Sequence, residues 1–89
     1  MVRRKLEIVN EKGLHARASA KLVEVVESHD ARAEILHDGQ SASGDSIMGL
    51  LMLAAHRGTT IEIVTDGADA ESLADALEAL VATRFGEDM

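Results

Sequence analysis

One stretch decides how this sequence folds: Gly13-Leu14-His15-Ala16-Arg17-Ala18-Ser19-Ala20. A loop-like segment, residues 10–12, precedes it, and apolar residues recur after it at the spacing of one helix face. His15 is therefore expected at or near the N-cap of the first helix. N-caps favour short side chains that accept hydrogen bonds from the first backbone amides. Because histidine caps poorly, its presence here predicts a further role.

The predicted helix start is suited to an anion. A helix N-terminus exposes unpaired N–H groups at the positive end of the macrodipole. Arg17 adds a planar guanidinium whose donors match a phosphate. A neutral imidazole is nucleophilic near neutral pH and needs no general base. The combination predicts that His15 carries a phosphoryl group and that Arg17 stabilises it.

Length and composition exclude several classes of protein. Residues 1–89 suffice for a single domain with one modest core. The chain has no cysteine, so it forms neither disulfides nor thiolate metal sites and suits a reducing compartment. The net charge of −7 argues against nucleic acid, and no apolar run approaches the ~20 residues of a membrane span. Since nothing resembles a signal peptide, we expect a cytoplasmic protein with no membrane partner.

Charge is distributed unevenly along the chain. Residues 62–89 hold eight acidic side chains and a single cation, Arg84. Around the first helix start the sign reverses, with three cations against one acidic residue: Lys12, Arg17, Lys21 and Glu11. A small basic patch in an acidic protein fits a small anionic group at this site.

The other three histidines, His29, His37 and His56, lie singly at predicted element ends. None of them forms a His-x-x-x-His pair or joins a carboxylate cluster, so we expect surface residues, no metal and no cofactor. The sequence also lacks a phosphate-cradling Gly-x-x-x-x-Gly-Lys loop. Such a chain can accept and pass on a phosphoryl group, but it is not expected to be a stand-alone enzyme.

Hydrophobic periodicity predicts seven elements in the order β-α-β-β-α-β-α. The strands are residues 3–9, 31–37, 40–43 and 59–65, and the helices are residues 15–28, 47–56 and 70–84. Asp38-Gly39 is a strong hairpin signal between the second and third strands. Each strand has one apolar face and each helix an apolar stripe. The predicted class is α+β, with helices covering one side of an antiparallel sheet.

The second helix is apolar all the way round, although a surface helix in a small domain buries only one face. The residues expected to face inward are Ile47, Leu50, Leu51 and Ala54. Met48 and Met52 are then left exposed, and methionine-rich patches suit surfaces that fit several partners. A protein-docking face on a monomer is the favoured interpretation, and a dimer interface or a more enveloped helix is the alternative. Ser46 is expected to be the N-cap of this helix.

With these residues in view, the whole chain resembles the HPr family, the histidine phosphocarrier proteins of the bacterial phosphoenolpyruvate-dependent phosphotransferase system. The matching motifs are Gly13-Leu14-His15-Ala16-Arg17, the hairpin return at residues 39–43, Ser46-Ile47-Met48-Gly49 and Gly58-Thr59. The resemblance implies an open-faced sandwich, with a four-stranded antiparallel sheet of order 1-4-2-3 and three helices on one face.

The resemblance also implies roles for individual residues. His15 would take a phosphoryl group on Nδ1 from enzyme I and pass it to a IIA-type protein, with Arg17 binding the phosphate. Ser46 matches the regulatory site of the family, which an HPr kinase/phosphorylase modifies in many bacteria. Ile47 and Met48 match the apolar residues through which members dock. We add Leu51 and Met52 to this predicted docking face.

One departure from the family pattern bears on the output. Most members that serve sugar uptake have proline after the arginine, whereas this chain has Ala18. Alanine is an excellent helix former, so the helix is expected to survive. The departure favours the regulatory, nitrogen-type branch called NPr.

Two other functions remain open at this stage. A regulatory module of the same fold would bind an anionic metabolite or a partner protein without transferring a group. A small hydrolase of the acylphosphatase kind shares the β-α-β-β-α-β core, but it needs an arginine and an asparagine poised on its substrate. The only asparagine here is Asn10, and no arginine-rich phosphate loop accompanies it.

Overall fold

Strands and helices follow one another in the predicted order, β-α-β-β-α-β-α, with β2 and β3 consecutive. The computed structural model describes residues 1–88. The strands are β1 (Val2–Glu7), β2 (Arg32–His37), β3 (Gln40–Ser43) and β4 (Thr60–Asp66), and the helices are α1 (Ala16–Glu27), α2 (Ile47–Met52) and α3 (Ala70–Ala82). A short 3-10 turn, Arg84–Gly86, follows α3. The α+β class is confirmed.

The four strands form one antiparallel sheet of order β1-β4-β2-β3, as predicted. Leu6 of β1 pairs with Ile61 of β4, and Ile63 of β4 pairs with Ile35 of β2. These four side chains are buried, and the alternate residues point to the other, more exposed face. The period of two along each strand therefore sets which face meets the core.

The helices cover the apolar face of the sheet. Helix α3 packs against β1 and β4, helix α2 packs against β3, and α1 contacts both of the other helices. The buried stripes of the two long helices are Ala18, Ser19, Leu22, Val23 and Val26 in α1 and Ala70, Leu73, Ala74, Leu77 and Val81 in α3. Within residues 1–88, no helix is long and apolar enough to cross a membrane.

Helix α2 is shorter than predicted. It ends at Met52 rather than near His56, and Ala54 adopts a left-handed backbone with φ of 55°. Because the chain turns there, the helical period does not continue. Leu53 and Ala55 are buried instead of Ala54, so the expectation that Ala54 faces inward was wrong.

Helix α3 also ends early, at Ala82 instead of Arg84. Arg84, Phe85 and Gly86 all have positive φ, at 60°, 54° and 77°. This left-handed turn reverses the chain and buries Phe85 completely. We call residues 84–87 the return segment, because they lead back towards the start of α1.

Candidate functional site

His15 is the N-cap of α1, as the sequence predicted. Its backbone is extended, with φ of −80° and ψ of −177°, and its carbonyl accepts the first intrahelical bond from Ser19 at 2.8 Å. The side chain caps the helix as well, because its Nδ1 accepts a hydrogen bond from the Arg17 amide at 3.3 Å. This bond is longer than a typical N–H donor bond, so the cap is weak.

Gly13 fixes the loop that carries His15. Its φ is 66°, and an added Cβ would lie 2.6 Å from the carbonyl oxygen of Ala55, closer than side chains approach backbone. The Leu14 amide donates to the same oxygen at 2.9 Å. Only glycine combines a positive φ with so close an approach to the Ala55 carbonyl without strain. The loop therefore rests directly on the chain that leaves α2.

The imidazole of His15 has a second partner, the carboxylate of Glu87 in the return segment. The contact joins Nε2 to Oε2, and the two side chains are only 26% and 16% exposed. An ionised carboxylate only accepts hydrogen bonds, so Nε2 carries the proton. Nδ1 accepts a weak hydrogen bond from the Arg17 amide and is therefore the unprotonated nitrogen, which carries the lone pair.

The environment of Glu87 favours its ionised form. Burial raises the pKa of this carboxyl, but hydrogen bonds from His15 and Asn10 lower it. The positive charge of His15, when the ring is protonated on both nitrogens, and the charge of Lys12 lower this pKa further. The net result is a pKa below the usual range of a glutamate. The carboxylate is thus held as an anion against the imidazole.

Three contacts hold the return segment in place. Phe85 fills the core, and its carbonyl accepts a hydrogen bond from Nζ of Lys21 at 2.6 Å. Asn10 is fully buried, and its Nδ2 donates to the Gly13 carbonyl at 2.8 Å and to Glu87 at 3.1 Å. One buried amide therefore fastens the His15 loop and the Glu87 carboxylate together.

A cleft of about 330 Å³ opens beside the imidazole. Its lining residues are Glu11, Lys12, His15, Arg17, Lys21, Gly86, Glu87 and Asp88. Within residues 1–88 the Arg17 guanidinium makes no ion pair, so it is free to meet an anion. The charge pattern along the chain predicted a small basic patch around His15, and that prediction left out two carboxylates, Glu87 and Asp88. The return segment brings acidic groups into the same cleft.

Helix α2 presents the apolar surface expected of it. Met48 and Met52 are 70% and 75% exposed, as predicted, and Leu51 is half-buried. Ile47 was expected to face inward and is instead 39% exposed, because Leu50 alone fills the core position of this short helix. We call Ile47, Met48, Leu51 and Met52 the α2 patch.

Ser46 caps α2 as predicted. Its Oγ accepts a hydrogen bond from the Gly49 amide at 3.0 Å. An added Cβ at Gly49 would lie only 3.1 Å from that oxygen, so the glycine leaves room for the cap. Ser46 itself is half-buried and immediately precedes the α2 patch.

The remaining histidines are mostly structural rather than purely surface residues. Nδ1 of His29 bonds to the Val25 carbonyl and Nδ1 of His37 to the Leu53 carbonyl, both at 2.8 Å, and both side chains are half-buried. His56 is exposed, as expected. In the described chain, residues 1–88, no group of three His, Asp or Glu side chains could hold a metal ion.

Sequence reasoning missed Asn10 and Glu87 as parts of the site. One signal was available, because Phe85 is the only Phe, Tyr or Trp residue in the chain. A lone aromatic residue is a strong candidate for the core. Burying it requires the chain after α3 to fold back, which carries the residues that follow towards α1.

The family is decided by comparison with known proteins. A family model described as "PTS HPr component phosphorylation site" matches residues 2–83. The phosphocarrier protein HPr of Cupriavidus necator is 45% identical to this chain, over 98% of each sequence. The chain belongs to the HPr family. It is thus a phosphocarrier of the phosphotransferase system.

Other relatives agree with this family. The phosphocarrier protein NPr of Shewanella violacea is 42% identical, over 94% of this chain and 92% of that protein. The crystal structure of HPr-C-His from Thermoanaerobacter tengcongensis superposes with a TM-score of 0.94, at 30% identity and complete coverage of both chains. The HPr-like architecture predicted from the sequence is confirmed.

Proposed function

We propose that this HPr-family protein accepts a phosphoryl group from enzyme I on Nδ1 of His15 and passes it to a IIA-type protein. The observation that carries the proposal is the state of that nitrogen. Nδ1 is the unprotonated nitrogen and lies at the N-terminus of α1, and His15 and Arg17 line the same cleft. A nucleophile, a free guanidinium and a positive helix end therefore share one site.

The transfer step follows from this geometry. The Nδ1 lone pair forms the new N–P bond, while the bond from phosphorus to the donor breaks and its electron pair stays with the donor. The Arg17 amide then loses Nδ1 as its acceptor. Phosphoryl oxygens replace it, since amides of the first helical turn have no intrahelical partners. Arg17 adds charge-assisted hydrogen bonds to the same oxygens.

The α2 patch is the proposed docking face for enzyme I and the IIA-type acceptor. Its exposed methionines are flexible and polarisable, which suits one surface that meets several partners. The loop that carries His15 contacts Ala55 just beyond α2. A partner seated on the patch would therefore reach the imidazole without a large rearrangement.

Ser46 is the proposed regulatory site, modified by an HPr kinase/phosphorylase where the organism has one. A phosphoryl group there would remain favourable for the helix N-terminus, because it adds acceptors and negative charge at the positive end. It would also place nearly two negative charges beside Ile47 and Met48. An acidic group at the rim of the docking face would oppose docking on an apolar patch, because the charge must be desolvated or paired when a partner covers it.

The proposed output is regulatory and of the nitrogen type, from a monomer in the cytoplasm. Ala18 stands where sugar-uptake members mostly have proline, and it is buried inside a regular α1. Relatives named HPr and NPr are similar to this chain at 45% and 42% identity, so the identity of the phosphoryl acceptor is the measurement that decides between the branches.

The test begins with phosphoenolpyruvate and enzyme I from the same organism, followed by intact mass of the wild type and of His15→Ala. A gain of one phosphoryl mass in the wild type alone is expected. Transfer to a nitrogen-type IIA rather than to a sugar-specific IIA would then establish the branch.

Two outcomes would contradict the proposal. No gain, with enzyme I active on another carrier, would support a binding module that transfers nothing. Hydrolysis of acetyl phosphate by the protein alone would support the acylphosphatase-like hypothesis.

A further inference from the structure

We propose that Glu87 is a positioning residue for phosphoryl transfer at His15, holding the ring by its Nε2 proton while Nδ1 reacts. This inference rests on the proposed function. Among residues 1–88 the Glu87 carboxylate is the side chain that contacts Nε2 of the imidazole. It contacts Nε2 and not Nδ1, the nitrogen that accepts the phosphoryl group.

The two contacts of the imidazole fix both its orientation and its tautomer. The Arg17 amide lies 3.3 Å from Nδ1, and the carboxylate of Glu87 contacts Nε2. A ring flipped by 180° would lose both bonds. The partner that one ring nitrogen keeps determines the role of the other nitrogen. Glu87 therefore keeps the reactive lone pair on the nitrogen at the helix start.

The charge on the ring changes during transfer, and Glu87 is placed to balance it. When Nδ1 forms the N–P bond, its lone pair is used and the ring, still protonated on Nε2, becomes cationic. When the phosphoryl group leaves for the acceptor, the N–P electron pair returns to Nδ1 and the ring is neutral again. The proton stays on Nε2 throughout. A carboxylate bonded to that proton stabilises the cationic state.

The surroundings of Glu87 are built to keep it in place. Asn10, which is fully buried, donates to the carboxylate at 3.1 Å, and Lys21 holds the preceding turn through the Phe85 carbonyl. The turn itself places Arg84 and Phe85 in the left-handed region, which side chains other than glycine rarely adopt. Strained backbone persists where the surrounding contacts over-determine it. Here the left-handed turn at residues 84–86 places the Glu87 carboxylate against the His15 imidazole.

The chain offers a matched control in Asp88. This neighbouring carboxylate lines the same cleft but is exposed, and it makes no hydrogen bond among the described residues. Asp88→Asn removes one negative charge from the cleft and leaves the contact with Nε2 intact. Glu87→Gln keeps an acceptor for Nε2 but loses the charge, and Glu87→Ala loses both.

The experiment uses the full chain, with phosphoenolpyruvate and enzyme I as the phosphoryl source. The phosphorylation rate is measured at saturating and limiting carrier, and ¹⁵N-labelled protein gives the His15 ring signals. In Glu87→Ala we expect the Nε2 proton to exchange faster with water and its signal to weaken. The maximal rate should fall about tenfold with little change in KM. The rate of Glu87→Gln should lie between those of Glu87→Ala and the wild type. Asp88→Asn should leave the His15 ring signals as in the wild type and should not slow transfer, because it removes a negative charge from the cleft without touching Nε2.

Several outcomes would overturn the assignment. Unchanged ring signals in Glu87→Ala would show that the carboxylate does not hold Nε2. A full transfer rate in that variant, or an equal loss in Asp88→Asn, would refute the positioning role. A wild type that gains no phosphoryl group from an active enzyme I would instead refute the proposed function itself, which separates the two failures.

Discussion

Helices α1 and α2 begin in similar ways and are held very differently. Each has an N-cap side chain that accepts a hydrogen bond from the first turn, Nδ1 of His15 at 3.3 Å and Oγ of Ser46 at 3.0 Å. Behind His15 stand Gly13, Asn10 and a carboxylate from 72 residues further along the chain. Ser46, by contrast, is held mainly by its own helix.

The difference separates a group that reacts from a group that only caps. A serine caps well, so its oxygen is already used in the unmodified protein. A histidine caps weakly, and its lone pair is easily given up to phosphorus. The ring is also held at Nε2, which contacts the carboxylate of Glu87. Nδ1 therefore makes only a long hydrogen bond to the Arg17 amide, while the contact of Nε2 with Glu87 fixes the orientation of the ring.

The first prediction separates capping from chemistry at His15. Asparagine is a favoured N-cap but lacks the imidazole. His15→Asn should therefore take up no phosphoryl group from enzyme I, while its free energy of unfolding stays within about 1 kcal/mol of the wild type. Intact mass and urea unfolding measure the two quantities. If His15→Asn were still phosphorylated, the phosphoryl group would have to be on another residue. Ser46→Asn is the matched control, because it changes the N-cap of α2 in the same way.

The second prediction concerns the free cation beside the imidazole. Arg17→Ala should slow phosphorylation about 10- to 100-fold, because the oxygens of the phosphoryl group lose charge-assisted hydrogen bonds. The phosphorylation rate of Arg17→Lys should lie between those of Arg17→Ala and the wild type, since lysine keeps the positive charge but not the planar set of donors. Stopped transfer assays at several times give the rates. Equal rates in all three proteins would show that the helix amides alone hold the phosphoryl group.

The third prediction probes charge at the start of α2. Aspartate and asparagine both cap helices well, so Ser46→Asp and Ser46→Asn should unfold at similar urea concentrations. Only the aspartate adds a charge beside the α2 patch. Phosphorylation by enzyme I should slow about three- to tenfold in Ser46→Asp and remain unchanged in Ser46→Asn. Identical rates in these two variants would remove the case for Ser46 as a charge switch.

The smallest predicted effect is the change of the free energy of unfolding with pH. It comes from Glu87, the carboxylate that contacts His15 at the start of α1. The pKa of Glu87 is lowered in the folded protein, so the unfolded chain binds this proton more readily. The stability that the ionised carboxylate supplies is complete above its unfolded pKa and is lost as the pH falls through the folded pKa.

The measurement compares urea unfolding of the wild type and Glu87→Gln at neutral pH and at about pH 3. The wild type should lose more stability than the variant over this range. Asp88→Asn should behave like the wild type. A constant difference between the wild type and Glu87→Gln would mean that the carboxylate gains nothing from its contacts with His15 and Asn10.

The sheet, the three helices and the position of His15 could be predicted because their signals are local. Alternation in the strands and the stripe at Ala18, Leu22 and Val26 report directly which faces are buried. The end of α2 could not be found in this way. Its apolar run continues to Ala55, and nothing in the residue types marks the turn that Ala54 makes.

The return segment was harder still to predict. Left-handed backbone at Arg84 and Phe85 has no sequence signal, because such residues adopt it only when tertiary contacts require it. The contact between His15 and Glu87 spans 72 positions, far beyond any helical or strand period. The nucleophile and its cation were therefore predictable. The single aromatic residue, Phe85, indicates that the chain folds back after α3, but it does not indicate which side chain then contacts His15.

The separation of His15 and Glu87 by 72 positions also determines when the site can form during synthesis. During synthesis His15 leaves the ribosome early, but β1 cannot pair until β4 has followed, since Val2 lies opposite Thr65. Glu87 emerges later again. A nascent chain therefore displays the histidine without its fold, and a stalled or truncated product that lacks the return segment should be a poor phosphoryl acceptor. Phosphorylation of His15 would then depend on the presence of the return segment as well as on the supply of the donor.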